Sequence, residues 1–153
     1  MAPNGIISHL FGPIEGRIHD AFMLNASGLS PKLQRLVRQD GEPYVVYGDP
    51  AYGLTQNIIA PFKGCNLSQE QKRFNRDMSK VRVCVEWGFG KIMQYFSYLD
   101  YRKNLKVLLQ PVARYYFIGA LLTNCHTCLY GSVTSTYFGV DPPLLETYLL
   151  NRD

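Results

Sequence analysis

Hydrophobic positions follow two rhythms along the chain. Two β-prone runs stand in the first third. Ile6-Ile7-Ser8-His9-Leu10-Phe11 stops at Gly12-Pro13, and Tyr44-Val45-Val46-Tyr47 stops at Gly48-Asp49-Pro50. Each predicts a strand, the second one buried, and the two are expected to pair in a small sheet with one edge uncovered. Between them, Asp20 reads as the N-cap of a helix over residues 21–26. Pro31 sits at the first position of another helix, whose apolar face is Leu33, Leu36 and Val37 and which stops at Asp40-Gly41. The stretch from Tyr52 to Gly64 shows no period. From residue 68 the rhythm is helical. Ser68 and Gln71 have capping-box spacing, and the helix they open either breaks near Met78 or runs on. Val81, Val85, Gly88, Phe89, Ile92, Phe96 and Leu99 form the apolar stripe of a helix over residues 79–99. Pro111 opens a strongly apolar helix through Tyr115, Tyr116, Ile118, Leu121 and Leu122, ended by Gly131. A short helix with Leu144, Leu145, Tyr148 and Leu149 follows Asp141-Pro142-Pro143.

Composition places this pattern in a folded domain: 46% of the 153 residues are hydrophobic and 18% charged, enough to bury a core. The length predicts a single domain over residues 1–153. The longest apolar run, residues 115–122, is far short of the ~18 residues that span a bilayer, so no membrane segment is expected. No signal-peptide pattern opens the chain. Four cysteines, Cys65, Cys84, Cys125 and Cys128, are too irregular for a disulfide framework and point to a reducing compartment. Cys125 and Cys128 form a lone CxxC inside an apolar helix and read as core residues rather than metal ligands.

Charge changes the picture more. Residues 63–114 carry eleven basic and four acidic side chains, a net +7, while the flanks are slightly acidic. Lys80, Arg82, Lys91, Arg102, Lys103, Lys106 and Arg114 are the candidates to meet phosphates; a solvated basic helix face is the other reading. Asp49, at a strand end, either opens a turn or projects a carboxylate into the crevice where sites gather. Glu86 lies on the long helix at the edge of its apolar stripe. It either pairs with Arg82 one turn earlier or points toward the sheet.

Several pieces together resemble the DDE superfamily endonucleases of the PIF/Harbinger transposon type, including host proteins derived from them. They are Gly12-Pro13 with Gly16-Arg17-Ile18-His19-Asp20, Tyr47-Gly48-Asp49-Pro50-Ala51-Tyr52, Phe74-Asn75, and Arg82 through Gly90 with Val85-Glu86-Trp87-Gly88-Phe89-Gly90. The resemblance runs in order from about residue 3 to about residue 130. It implies an α/β, RNase H-like mixed sheet flanked by helices, action on DNA in a nucleus, and a separate DNA-binding protein partner. It also implies three carboxylates holding two Mg²⁺ or Mn²⁺ ions, with Asp49 matching the second and Glu86 the third. Such ions activate water and stabilise the leaving oxygen, and the two carboxylates are then expected to reach a shared cation.

The first carboxylate of the pattern has no counterpart here. It belongs to a strand ahead of the turn at Pro3-Asn4-Gly5, and Asp20 occupies a different motif. The resemblance therefore implies the C-terminal part of a nuclease domain, truncated and helix-rich. Three readings stand: a metal-dependent DNA endonuclease domain lacking one ligand, a non-catalytic domain of the same origin that binds DNA or protein, and a structural helical module.

Overall fold

The computed structural model describes residues 1–12, 14, 18–38, 40–49, 52, 54–100 and 111–150. Among them the elements run α1 (Asp20–Ala26), α2 (Leu29–Arg35), β1 (Val46–Tyr47), β2 (Ile58–Ile59), α3 (Gln69–Tyr95), a 3-10 turn (Ser97–Leu99), α4 (Val112–Tyr130), α5 (Val133–Phe138) and α6 (Leu145–Leu150). The chain is thus helix-rich with a small parallel sheet. It divides into two compact units: a terminal unit of Met1–Gly12 and Val83–Asp153, and an inner unit of Pro13–Arg82.

In the inner unit, β1 and β2 pair in parallel, Val46 opposite Ile58 and Tyr47 opposite Ile59. The Val46 N–H donates to Asn57 O and the Gly48 N–H to Ile59 O, at 2.9 and 2.8 Å. The strand expected at 44–47 therefore exists but is short, and its partner is β2 rather than residues 6–11. Nor is it buried: Tyr44, Val45 and Val46 are exposed, and Ile58 on the partner strand takes the burial. A two-isoleucine strand is too brief to show a period, which is why residues 52–64 read as irregular. Helix α2 ends at Arg35, short of Asp40, and only Leu33 of its expected apolar face is buried.

Side chains fasten the start of α3. Ser68 and Gln71 form the reciprocal capping box, 3.0 and 3.2 Å. The Asn75 amide accepts from the Phe62 N–H and donates to the Phe62 carbonyl, 2.9 and 3.0 Å. Phe74 meets Phe62 and Tyr47 edge-on at 5.5 and 6.0 Å, contacts of about 0.5–1.5 kcal/mol each beyond their area. The helix passes Met78 without a break and runs 27 residues to Tyr95. Ser79 is absorbed by donating its hydroxyl back to Asn75 O at 2.7 Å, the usual accommodation of a mid-helix serine.

The terminal unit is built on Ile92, Leu99 and Ala120, with Ile7, Leu10, Phe96 and Tyr116 packed around them. Full burial of an Ile or Leu side chain contributes about 1.5–3 kcal/mol. The buried line on α3 is Cys84, Gly88 and Ile92; Val81, Val85 and Phe89, expected in the stripe, are exposed. On α4 the buried face is Gly119, Ala120, Thr123, Asn124 and Thr127, while Ile118, Leu121 and Leu122 are 53%, 47% and 46% exposed. Small and polar side chains face inward because that face receives another stretch of backbone. Residues 6–11 are not a strand. Ile7 is clasped by Asn124, whose Oδ1 accepts from the Ile7 N–H at 2.8 Å and whose Nδ2 donates to the Ile7 carbonyl at 3.0 Å. The amide takes the place of a strand partner.

Helix α5 was not legible beforehand. Ser132 and Ser135 cap it reciprocally, each hydroxyl accepting from the other's backbone N–H at 3.0 and 2.8 Å; serine at both positions is a weaker signal than a serine followed by glutamate. Gly5 reaches this cap. It sits at φ 83°, and a Cβ there would collide with Ser132 Oγ. Gly5→Ala is expected to lose about 2–4 kcal/mol, combining left-handed backbone strain with a clash in packed surroundings. Urea unfolding midpoints of the two proteins test this; equal midpoints would mean the Gly5 turn does not hold the cap.

Candidate active site

Asp49 follows the end of β1 in the inner unit. Its Oδ2 lies 3.4 Å from Nη2 of Arg82, and both side chains are 41% exposed. The Tyr52 N–H donates to Asp49 O at 3.0 Å, closing a turn. The Tyr52 ring lies against Gly48, where a Cβ would come within 2.8 Å of its Cδ2, so the glycine is what lets the ring fold back. The Tyr52 hydroxyl has its pKa raised, first by burial and then by the negative charges of Asp20 and Asp49, with Arg82 acting in the opposite direction. One phenol thus senses two carboxylates and a guanidinium.

Asp20 is not the cap of α1. It is the first helical residue, His19 holds the cap position, and no side-chain capping bond forms there. A carboxylate in the first turn suits the helix dipole and leaves its oxygens available. From sequence Asp20 reads as a helix cap in preference to a metal role, and nothing in the spacing shows that its charge bears on Tyr52. The signal for Tyr52 was its place three residues after Asp49 in the Gly-Asp-x-x-Tyr piece.

Glu86 is exposed on α3 in the terminal unit. It borders a cavity of about 720 Å³ lined also by Trp87, Lys91, Tyr95, His126 and Tyr130. The ion pair of Arg82 is with Asp49, not the helical pair with Glu86 considered from spacing. The two expected carboxylates belong to different units. Among the described residues, no three His, Cys, Asp or Glu side chains group closely enough to hold a metal ion. A two-cation centre needs oxygen ligands that bridge the ions. The described donors do not fit one by themselves, and no cleavage step follows from them.

The basic candidates divide. Lys80, Arg73 and Arg76 all approach Asp77, at 3.9, 3.7 and 3.7 Å, so three exposed cations share one carboxylate and leave a local surplus of positive charge. Arg73 and Arg76 escaped the sequence reading. Arg114 is exposed in the first turn of α4. Lys91 turns inward: its Nζ donates to Thr127 Oγ1 and Gly131 O at 3.1 and 3.2 Å, and burial pushes its pKa down. Arg102, Lys103 and Lys106 lie outside the described residues. Cys125 and Cys128 form no disulfide. Burial raises the Cys128 pKa, with Cys125 adding to it, which disfavours the thiolate a nucleophile or ligand needs. Among the described residues no helix is long and apolar enough to cross a membrane.

A family model described as DDE superfamily endonuclease matches residues 1–124, a span that contains Asp49, Glu86 and the basic residues through Arg114. No curated protein and no solved structure matches the chain.

Proposed function

We propose, from the premise that this chain belongs to the DDE superfamily endonucleases, that it is a transposase-derived nuclease domain of the PIF/Harbinger type acting on DNA in the nucleus. Its small sheet is then part of an RNase H-like sheet. Asp49 and Glu86 are two of the carboxylates for Mg²⁺ or Mn²⁺, and a separate DNA-binding protein helps to select the site. The observation that carries this reading is the placement of Asp49. A half-exposed carboxylate sits just past the carboxyl end of a parallel strand, where open α/β sheets gather their sites.

A second reading keeps the DNA contact without the chemistry. The Arg82–Asp49 pair favours it, because a guanidinium 3.4 Å away neutralises the carboxylate that a cation would need. Both readings require DNA binding through exposed cations, and anisotropy of a labelled duplex at two salt concentrations tests that. With about four phosphate contacts, raising salt fourfold weakens binding on the order of 100-fold. Replacing Lys80 and Arg114 together by Gln flattens the log–log slope by about 1.8. Absent or salt-insensitive binding would leave the structural-module reading instead.

A further inference from the structure

Three rings lie in a column on the wall of the cavity that Glu86 borders, tilted to one another by 37° and 46°. His126 lies between Tyr95, centroids 4.5 Å apart, and Tyr130, 4.7 Å apart. Helical spacing builds the column: His126 and Tyr130 are one turn apart on α4, and Tyr95 is the last residue of α3. Tyr130, at one end, is 75% exposed. Nδ1 of His126 is buried and makes no hydrogen bond among the described residues. Beside the column, Nζ of Lys91 sits 5.5 Å from the Tyr95 ring centre. Its two hydrogen-bond acceptors are both neutral, and an ammonium has a third proton to give.

Each half of this arrangement asks for a different group. An aromatic column ending in an exposed ring takes another flat π-face, since base–ring stacking is tolerant of which base arrives. A half-buried ammonium without a carboxylate partner among the described residues takes an anion. A nucleotide supplies both, and the cavity's ~720 Å³ falls in the range of small-molecule sites, about 300–1,000 Å³.

We propose that this cavity is a subsite for one unstacked DNA nucleotide, its base added to the Tyr95–His126–Tyr130 column and its phosphate on Lys91. The choice of DNA rests on the nuclease reading above; the column and the lysine involve neither Asp49 nor any metal.

The test uses a short single-stranded oligonucleotide carrying 2-aminopurine, bound by the full chain with EDTA present. Stacking quenches the probe's emission on binding. Tyr130→Ala weakens binding about tenfold or more, and Tyr130→Phe, which keeps the ring, binds like the parent. Lys91→Gln lowers the log–log salt slope by about 0.7, the share of one single-strand phosphate, and Lys91→Arg restores it. An abasic oligonucleotide that binds as tightly as the base-bearing one overturns the proposal, as does unchanged binding by Tyr130→Ala. Salt-sensitive duplex binding without any quenched single-strand complex sinks the subsite and leaves the DNA reading standing. Failure to bind any DNA sinks both.

Discussion

Supercoiled plasmid incubated with residues 1–153 and Mg²⁺ or Mn²⁺ is expected to be bound and to stay supercoiled. Two divalent cations bring a charge of +4, and Asp49 with Glu86 supplies only −2. Arg82 already spends its charge on Asp49, which makes that carboxylate a still poorer ligand. Mg²⁺ gives up its water reluctantly and binds weakly where anionic ligands are few. Without the paired ions, neither the attacking water nor the leaving oxygen is stabilised, a loss of several kcal/mol. At 1.36 kcal/mol per decade, about 4 kcal/mol is roughly a thousandfold in rate. Metal-dependent nicking that Asp49→Asn and Glu86→Gln each abolish would reverse this expectation. The catalytic set would then be complete in these 153 residues. Asp20 would be the first candidate for the third ligand, because its charge and that of Asp49 act on the same Tyr52 hydroxyl.

What could be read ahead of the structure was local. The Ser68–Gln71 cap, the Pro111 start and the Gly131 stop depend on neighbours within one turn, and the structure has them where spacing put them. What could not be read depends on partners far along the chain. Arg82 has a glutamate one turn away, yet its ion pair is with Asp49, 33 residues earlier. Ile118 and Leu122 have the hydrophobicity of core residues but are left about half exposed on α4, while Asn124 and Thr127 are buried. Hydropathy records what a side chain prefers and not which backbone it will satisfy. Residues 6–11 read as a strand because they are β-prone, and their extended backbone is indeed satisfied, but by a side-chain amide. Asp49 was legible as the end of a strand and Glu86 as part of a motif. The cavity beside Glu86 was not, since Tyr95, His126 and Tyr130 meet only when two distant helices pack.

That amide sets the largest stability effect to be expected. Asn124→Leu should destabilise the terminal unit by about 3–5 kcal/mol, because the Ile7 N–H and carbonyl would each lose a partner at roughly 1–3 kcal/mol per unsatisfied group. The side chain is 4% exposed and also donates to the Tyr148 hydroxyl at 2.9 Å, so water offers little replacement. Against a total of about 5–15 kcal/mol for a domain, such a loss leaves the unit marginal. Urea unfolding followed by the emission of Trp87, the one tryptophan in the sequence, reads it directly. Asn124→Asp separates the hydrogen bonds from simple packing. Its protonated acid can still donate to the Ile7 carbonyl and accept from the Ile7 N–H, whereas the carboxylate puts a charge against that carbonyl in a buried site. The folded-state pKa is therefore raised above the ordinary value of about 3.9. With the folded state binding more protons, stability is fully present below the unfolded pKa and is lost as pH rises through the folded one. The Asp variant should thus be close to the parent in acid and fall away toward neutral pH, while the Leu variant is weakened at every pH. If both variants unfold within about 0.5 kcal/mol of the parent, as ordinary surface substitutions do, then Asn124 is not what holds the first residues of the chain against α4.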